Sequence, residues 1–365
     1  MIYFDNASTT KIDSVVKDEI IRGYDEIFAN PSSLHRVGLI AEKEIEKARK
    51  IISKKLNISA KNLYFVPSGT IANNSIIHSF DITGKNILVS EVEHSSIHQA
   101  SLNTSAEVRY VKVNKYGFID REDLIHKVDE NTVLVSIIHV NNELGTINDI
   151  NTLSKIAKEK NPNLLFHSDG VQAFNKIDIS LNNIDFYTIT AHKIHGPKGI
   201  SALYIKDANK FNKLYFGGGQ EKGIFSGTEN VQGILGFAKA STLDNNFDKI
   251  FEINKYLREE ISKIKGVIIN SPKENASPFI LNFCVEKIGA EILLHYLEMD
   301  EIYISTGSAC SKGNNSRVIE AINVEDRFKD GCIRVSLSKD NTLEEAKEFV
   351  EKLEERIEMI IRIIK

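Results

Sequence analysis

Apolar residues occur in two alternating rhythms along this chain. Ser14 to Phe28 places them at helical spacing, and Asn30-Pro31-Ser32-Ser33 then forms a turn and cap before a long helix from about His35 to Leu56. Beyond it come short, continuous apolar runs: Leu63 to Val66, Ile87 to Val89, Val108 to Val113, Val133 to Ile138, Leu164 to Phe166 and Phe186 to Ile189. Helical stretches separate most of them. This alternation predicts an α/β architecture, a largely parallel sheet covered by helices on both faces. From about Ser241 the pattern changes to a long helix, then to shorter strands at Val267 to Asn270, Phe279 to Val285 and Ile333 to Leu337. The amphipathic helix Thr342 to Ile363 ends the chain, and a second, smaller domain is expected there.

Composition narrows the classes. With 365 residues, 42% of them hydrophobic and 26% charged, the chain has material for two domains and a substantial core. A net charge of -4 gives no general attraction to nucleic acid or to an anionic membrane, so neither is expected as a direct partner. No apolar run approaches membrane-spanning length, and no basic and apolar signal region precedes Tyr3-Phe4-Asp5-Asn6. Three scattered cysteines make neither a disulfide framework nor a CxxC metal site, and no metal is expected. A cytoplasmic enzyme fits these limits.

Ligands of parallel α/β sheets sit outside the carboxyl ends of the strands, and that is where the chemically suggestive residues fall. Lys193, in Thr190-Ala191-His192-Lys193, follows one apolar run, and Asp169 closes another, with Gln172 three residues on. An amine that can hold an aldehyde and a carboxylate that keeps a pyridine nitrogen protonated are what pyridoxal 5'-phosphate requires. Ser68-Gly69-Thr70 follows a strand and opens a helix whose N–H groups could take a phosphate. Neither GxxxxGK[ST] nor GxGxxG competes for that role. His94 could stack on a planar ring or move protons, and Asn142 could donate to a phenolic oxygen. Each has a plainer explanation: a helix cap, a surface or core histidine, a turn closed by Gly145. Their shared edge of one sheet is what weighs against coincidence.

The cysteines separate by context. Cys284 lies in an apolar strand and Cys332 precedes Ile333-Arg334 on another, so both are expected in the core, Cys332 on the same strand face as Arg334. Cys310, between glycines in Gly307-Ser308-Ala309-Cys310-Ser311-Lys312-Gly313, is placed to act as a nucleophile, its thiolate favoured by nearby positive charge.

Together these segments resemble a known family. Asp5-Asn6-Ala7-Ser8-Thr9-Thr10, Asn30-Pro31-Ser32-Ser33-Leu34-His35, Ser68-Gly69-Thr70 with Asn73-Asn74, Glu93-His94, Asn141-Asn142-Glu143-Leu144-Gly145, and His167-Ser168-Asp169 with Gln172 occur in its order. So do His192-Lys193 with Gly196-Pro197-Lys198-Gly199, Gly217-Gly218-Gly219-Gln220-Glu221, Ser226-Gly227-Thr228 and Gly307-Ser308-Ala309-Cys310. They are similar to the class V, fold-type I pyridoxal-phosphate enzymes, specifically cysteine desulfurases of the NifS and IscS type. Relatives with other chemistries keep the cofactor motifs and lose Gly-Ser-Ala-Cys.

The resemblance implies a large domain, 14–245, with a mostly parallel seven-stranded sheet, and a smaller α+β domain formed by 1–13 and 246–365 that carries the Cys310 loop. It implies that Lys193 binds the cofactor and shuttles protons, that Asp169 pairs with its ring nitrogen, and that Gln172 and Asn142 hold the ring oxygen. His94 would stack on the ring. Gly69, Thr70, Thr190 and His192 would bind the phosphate, joined by Thr228 from the partner subunit of a homodimer. Arg334 would pair with the substrate carboxylate through its two parallel donors, while Asn30 and His35 line the entrance. L-cysteine would yield L-alanine and a Cys310 persulfide, passed to an acceptor in cluster assembly, tRNA thiolation or cofactor thiolation. The alternatives are a lyase for selenocysteine or cysteine sulfinate on the same fold, and a degenerate member serving as a binding subunit. The chain departs from the family pattern at Ile71, where a Glu is usual, and at Lys222 and Phe225, where arginines are usual.

Overall fold

The computed structural model describes residues 1–306 and 316–364. Seven strands form the main sheet: β1 (Leu63–Val66), β2 (Asn86–Ser90), β3 (Glu107–Val111), β4 (Thr132–Ser136), β5 (Leu165–Asp169), β6 (Phe186–Thr190) and β7 (Ser201–Ile205). They lie in the order β1-β7-β6-β5-β4-β2-β3. The five strands from β6 to β3 are mutually parallel, and β7 alone runs against its neighbours β6 and β1. Every residue of β5, β6 and β7 is buried. A sheet covered on both faces explains why these strands are buried at every position rather than at alternate ones.

One face packs on α1 (Ser14–Glu26), α2 (Arg36–Lys55) and a later helix, α5 (Val231–Ser241). Val16, Ala41, Ile45, Ile52, Ile234 and Phe237 meet Leu88, Val135, Phe166, Tyr187 and Ile189 there. The other face takes α3 (Gly69–Ser79) and α4 (Ser95–Ser101), with Ala72, Ile76 and Ile97 against Val66, Val89, Leu134 and Leu203. Each such aliphatic side chain contributes roughly 1.5–3 kcal/mol through burial.

A second core lies around a three-stranded antiparallel sheet of β8 (Val267–Ile269), β9 (Ile280–Val285) and β10 (Cys332–Ser336), with β9 in the middle. Against it pack α6 (Phe247–Ile261) and the terminal α8 (Leu343–Ile364), joined through Ile253, Leu257, Phe283, Phe349 and Leu353. Ile2–Tyr3 pairs in parallel with Ile302–Tyr303, and Phe4 enters this core. The two ends of the chain therefore meet in one unit. Between the cores sits the short helix α7 (Arg317–Ala321). Among the described residues no helix is long and apolar enough to cross a membrane.

Three local expectations change. β7 matches none of the six apolar runs of the main sheet, because Ser201-Ala202-Leu203-Tyr204-Ile205 opens on two small residues directly after a glycine turn. The helix expected from about Ser241 begins later, at Phe247. α5 ends at Ser241, and Asn246, in a left-handed conformation (φ 51°), redirects the chain into α6. Cys284 and Cys332 are buried as expected, but they are joined to each other by a disulfide. They sit directly opposite in the β9–β10 register, a pairing between residues 48 apart that sequence alone does not reveal.

Candidate active site

The carboxyl ends of the parallel strands open into a cavity of roughly 590 Å³ between the two cores. Five of the seven strands deliver a group to it. β1 leads into Ser68, whose side chain caps α3 by accepting from the Ile71 N–H, so that Gly69 and Thr70 present the helix N-terminus. β2 leads to Glu93 and His94, β4 to Asn142, β5 to Asp169 and Gln172, and β6 to Thr190, His192 and Lys193. Gly170 makes the turn after Asp169 possible, since a Cβ there would lie 2.0 Å from the Tyr187 ring.

A hydrogen-bonded chain runs along the sheet side. Asn73 donates to Asp169 Oδ2 at 2.7 Å and to Ser96 Oγ at 2.9 Å. Ser96 in turn lies 2.8 Å from His94 Nδ1 through its hydroxyl and donates its backbone N–H to the same nitrogen at 3.1 Å. With Nδ1 accepting, the neutral imidazole carries its proton on Nε2. Burial lowers the His94 pKa, Lys193, Arg317 and Arg334 reinforce that, and Asp169 opposes it. The other Asp169 oxygen accepts from the Val171 N–H at 2.9 Å.

Glu93 is a buried acid in the same wall. Its Oε1 accepts from Ser90 Oγ at 2.6 Å and from the Ile138 N–H at 2.5 Å, and its Oε2 is buried with no hydrogen-bond partner among the described residues. Burial, with Asp169 nearby, raises its pKa to about 8, so the carboxyl is mostly neutral near pH 7. His192 goes the other way, lowered to about 3 by burial and by the lysines around it.

The opposite side is ionic. Arg334 on β10 is buried, and its Nη2 reaches Asp5 Oδ1 at 2.7 Å and Ser8 Oγ at 2.8 Å, while Nη1 donates to the Asn142 carbonyl at 3.1 Å. Its Nε is buried and unpartnered among the described residues, a donor with capacity for an anion. Arg317 on α7 enters the cavity nearby and donates to the Glu93 carbonyl at 2.9 Å. Ser316 donates to Glu143 Oε2 at 2.6 Å, and burial raises that carboxyl's pKa.

The Lys193 amine donates to the carbonyls of Ala7 and Ser8 at 2.5 and 2.6 Å. An amine, a fixed carboxylate and a helix N-terminus in one cavity are what pyridoxal phosphate asks for at its aldehyde, ring nitrogen and phosphate. A Cβ on Gly69 would press to 3.3 Å from Val171, so glycine keeps the approach to α3 clear. These residues fit the cofactor.

The cavity thus gathers Gly69, Thr70, His94, Asn142, Asp169, Gln172, Thr190, His192, Lys193 and Arg334. Thr190 lines it with its hydroxyl already engaged by Ser201 Oγ at 2.8 Å. Asn30, His35 and Thr228 do not line it within one chain. Asn30 and His35 are exposed, one closing a turn onto the Ser32 N–H and the other capping α2, and Thr228 is exposed. Cys310 lies outside the described residues. Sequence reasoning assigned no role to Asn73, Ser96, Glu93, Asp5 or Arg317. Asn73 was within reach of it: four residues after Gly69, it faces the same side of α3. At the departures, Lys222 donates to the Lys61 carbonyl at 2.8 Å, Phe225 stacks on Tyr215 with ring centroids 5.4 Å apart, and Ile71 donates its backbone N–H to the Ser68 cap.

The Aminotransferase class-V family profile matches residues 2–349. A curated relative from Dictyoglomus turgidum, named cysteine desulfurase IscS, is 36% identical over 98% of this chain and 95% of its own. A solved structure titled NifS-like protein superposes with a TM-score of 0.92 at 35% identity, covering 98% of this chain and 99% of that one. Another, titled SspA in complex with cysteine, gives 0.82 at 28% identity over 92% of this chain and 99% of that one. A cavity built for a pyridoxal cofactor on this fold, and relatives alike along nearly their whole length, lead to one conclusion: the chain belongs to the class-V aminotransferase family and, within it, to the cysteine desulfurases.

Proposed function

We propose that this chain takes sulfur from L-cysteine, releases L-alanine and keeps the sulfur as a persulfide on Cys310. The observation that carries the reading is the meeting of Lys193, Asp169 and Arg334 in one cavity, an amine, a ring-nitrogen partner and a carboxylate receptor. Gly69, Thr70, Thr190 and His192 would hold the cofactor's phosphate, Asp169 its ring nitrogen, Gln172 and Asn142 its ring oxygen, and His94 its face. Pyridoxal phosphate, when bound, supplies an aldehyde carbon and an electron-withdrawing ring.

The chain's own groups do the rest. Arg334, oriented by Asp5 and Ser8, receives the substrate carboxylate. Lys193 moves the proton at the substrate's α-carbon. His94, neutral with Nε2–H, can give a proton within the cavity and recover it. The Cys310 thiolate attacks the substrate sulfur: an S–S bond forms, the C–S bond breaks, and the carbon keeps the electron pair and gains a proton to become the alanine methyl group.

Thr228, exposed in the single chain, would complete the phosphate site of a second copy, with Asn30 and His35 at the entrance of the homodimer. We take 14–245 as the large domain and 1–13 with 246–365 as the small domain carrying Cys310. A protein acceptor, a cluster scaffold or a thiolation enzyme, would collect the sulfur in the cytoplasm.

The test is mass spectrometry of the loaded protein after addition of L-cysteine, with alanine measured alongside. A gain of one sulfur on Cys310, and loss of alanine release in Cys310→Ala, are the expected results. Undiminished alanine release from the variant would overturn the nucleophile assignment. It would favour a lyase for selenocysteine or cysteine sulfinate, which comparison of rates on the three amino acids resolves.

A further inference from the structure

Lys176 lies in the interior behind Gln172, with its amine buried. Burial pushes its pKa down to about 7, and the charges acting on it, Lys193 and Arg334, are both cationic. Its nearby aromatic partner is the ring of Phe279, 5.6 Å from Nζ. An interior amine with no carboxylate partner among the described residues is costly, so the contact it does make is informative. Nζ donates to Gln172 Oε1 at 3.0 Å, and both groups are buried.

We infer that Lys176 is a positioning residue, whose amine locks the Gln172 amide so that an N–H rather than the carbonyl oxygen is presented to the cofactor cavity. The amide is held at both ends. Oε1 accepts from Lys176, and Nε2 donates to the Ala7 carbonyl at 2.8 Å. Flipping the amide would set its oxygen against the Ala7 carbonyl, and its NH₂ against an amine that, while protonated, can only donate. Ala7 uses one of the two Nε2 protons, and the other remains for the cavity that Gln172 lines. The same Ala7 carbonyl accepts from Lys193 at 2.5 Å, so the orientation set by Lys176 also bears on where the reactive amine rests. With this link fixed, an acceptor oxygen on the cofactor ring meets a donor without reorganisation of the site.

The inference rests on the reading of Gln172 as a donor to that ring, and a double-mutant cycle separates the two claims. Pyridoxal phosphate is titrated into each apoprotein and followed by the absorption of the loaded form. Alanine release gives kcat and KM, and thermal unfolding of the apoprotein reports on the fold. Gln172→Ala is expected to weaken cofactor affinity about tenfold; unchanged affinity there would remove the role of Gln172 itself. Lys176→Met is expected to weaken affinity by roughly three- to tenfold and lower kcat with KM unchanged, yet add less than about twofold in the Gln172→Ala background. Equal losses in both backgrounds, or a lower unfolding midpoint with affinity intact, would show that Lys176 acts only on the fold and would overturn the inference. Lys176→Leu, which likewise cannot donate, carries the same comparison if the methionine variant does not fold.

Discussion

The two sides of the cavity are built differently. On the sheet side, Asp169, Asn73, Ser96 and His94 satisfy one another through hydrogen bonds, and all four stand at or just beyond strand ends or in the helices that follow. On the other side, Arg334 reaches Asp5 across 329 residues of chain, and Ser316 reaches Glu143 across 173. The first arrangement is a hydrogen-bonded chain of neutral groups around one carboxylate, suited to holding one cofactor in one pose. The second is made of charges brought in from separate parts of the chain, and it leaves Arg334 Nε with a donor to spare. A group that must bind and release substrate at every turnover belongs on the second side.

Four changes probe that contrast. Lys193→Ala is expected to abolish both alanine release and the absorption of the loaded protein; retention of either would break the contrast at its centre.

Glu93→Gln tests the buried acid of the sheet side. A carboxyl raised from about 4.5 to about 8 binds its proton more tightly when folded, so the stability it contributes is full below about 4.5 and is lost as pH rises through about 8. The amide has no proton to lose. Wild type should therefore lose thermal stability relative to the variant as pH rises from about 5 to about 8, a divergence on the order of 3–5 kcal/mol at the alkaline end. His139 and His167, lowered to about 4 and about 3, act with the opposite sign and only in acid, where stability is lost as pH falls from about 6.5. They do not mask the alkaline limb.

Arg334→Ala should cost about 2–3 kcal/mol in kcat/KM for L-cysteine, roughly 30- to 150-fold, with cofactor affinity little changed. A matching loss of cofactor affinity would mean that the two sides do not divide the work. Asn73→Ala, which cuts the link from Asp169 to Ser96, is expected to cost about 1 kcal/mol, seen as a roughly fivefold weaker cofactor affinity with KM for cysteine unchanged.

Much of the sheet side was legible in the sequence. Lys193, Asp169, His94 and the Ser68-Gly69-Thr70 cap each follow an apolar run, and a parallel sheet places all such ends on one edge. Asn73 and Ser96 were assigned no role because each is a common residue on a helix, and its meaning lies in its partner. The ionic side was legible only at Arg334, through a motif. Asp5 stood in a family-like segment without a hint of its partner, Arg317 carried no local signal, and neither did the apposition of Cys284 with Cys332.

By itself, then, the order of residues determined the α/β rhythm, the strands that end in chemistry and the cofactor they fit, because hydrophobic period and turn residues act over a few positions. Tertiary structure alone decided that the N-terminal segment lies against Arg334 and Lys193, that Glu93 is buried neutral, and that Lys176 backs Gln172. Those outcomes depend on desolvation and on contacts between distant segments. Both arise only when separate parts of the chain exclude water from one another.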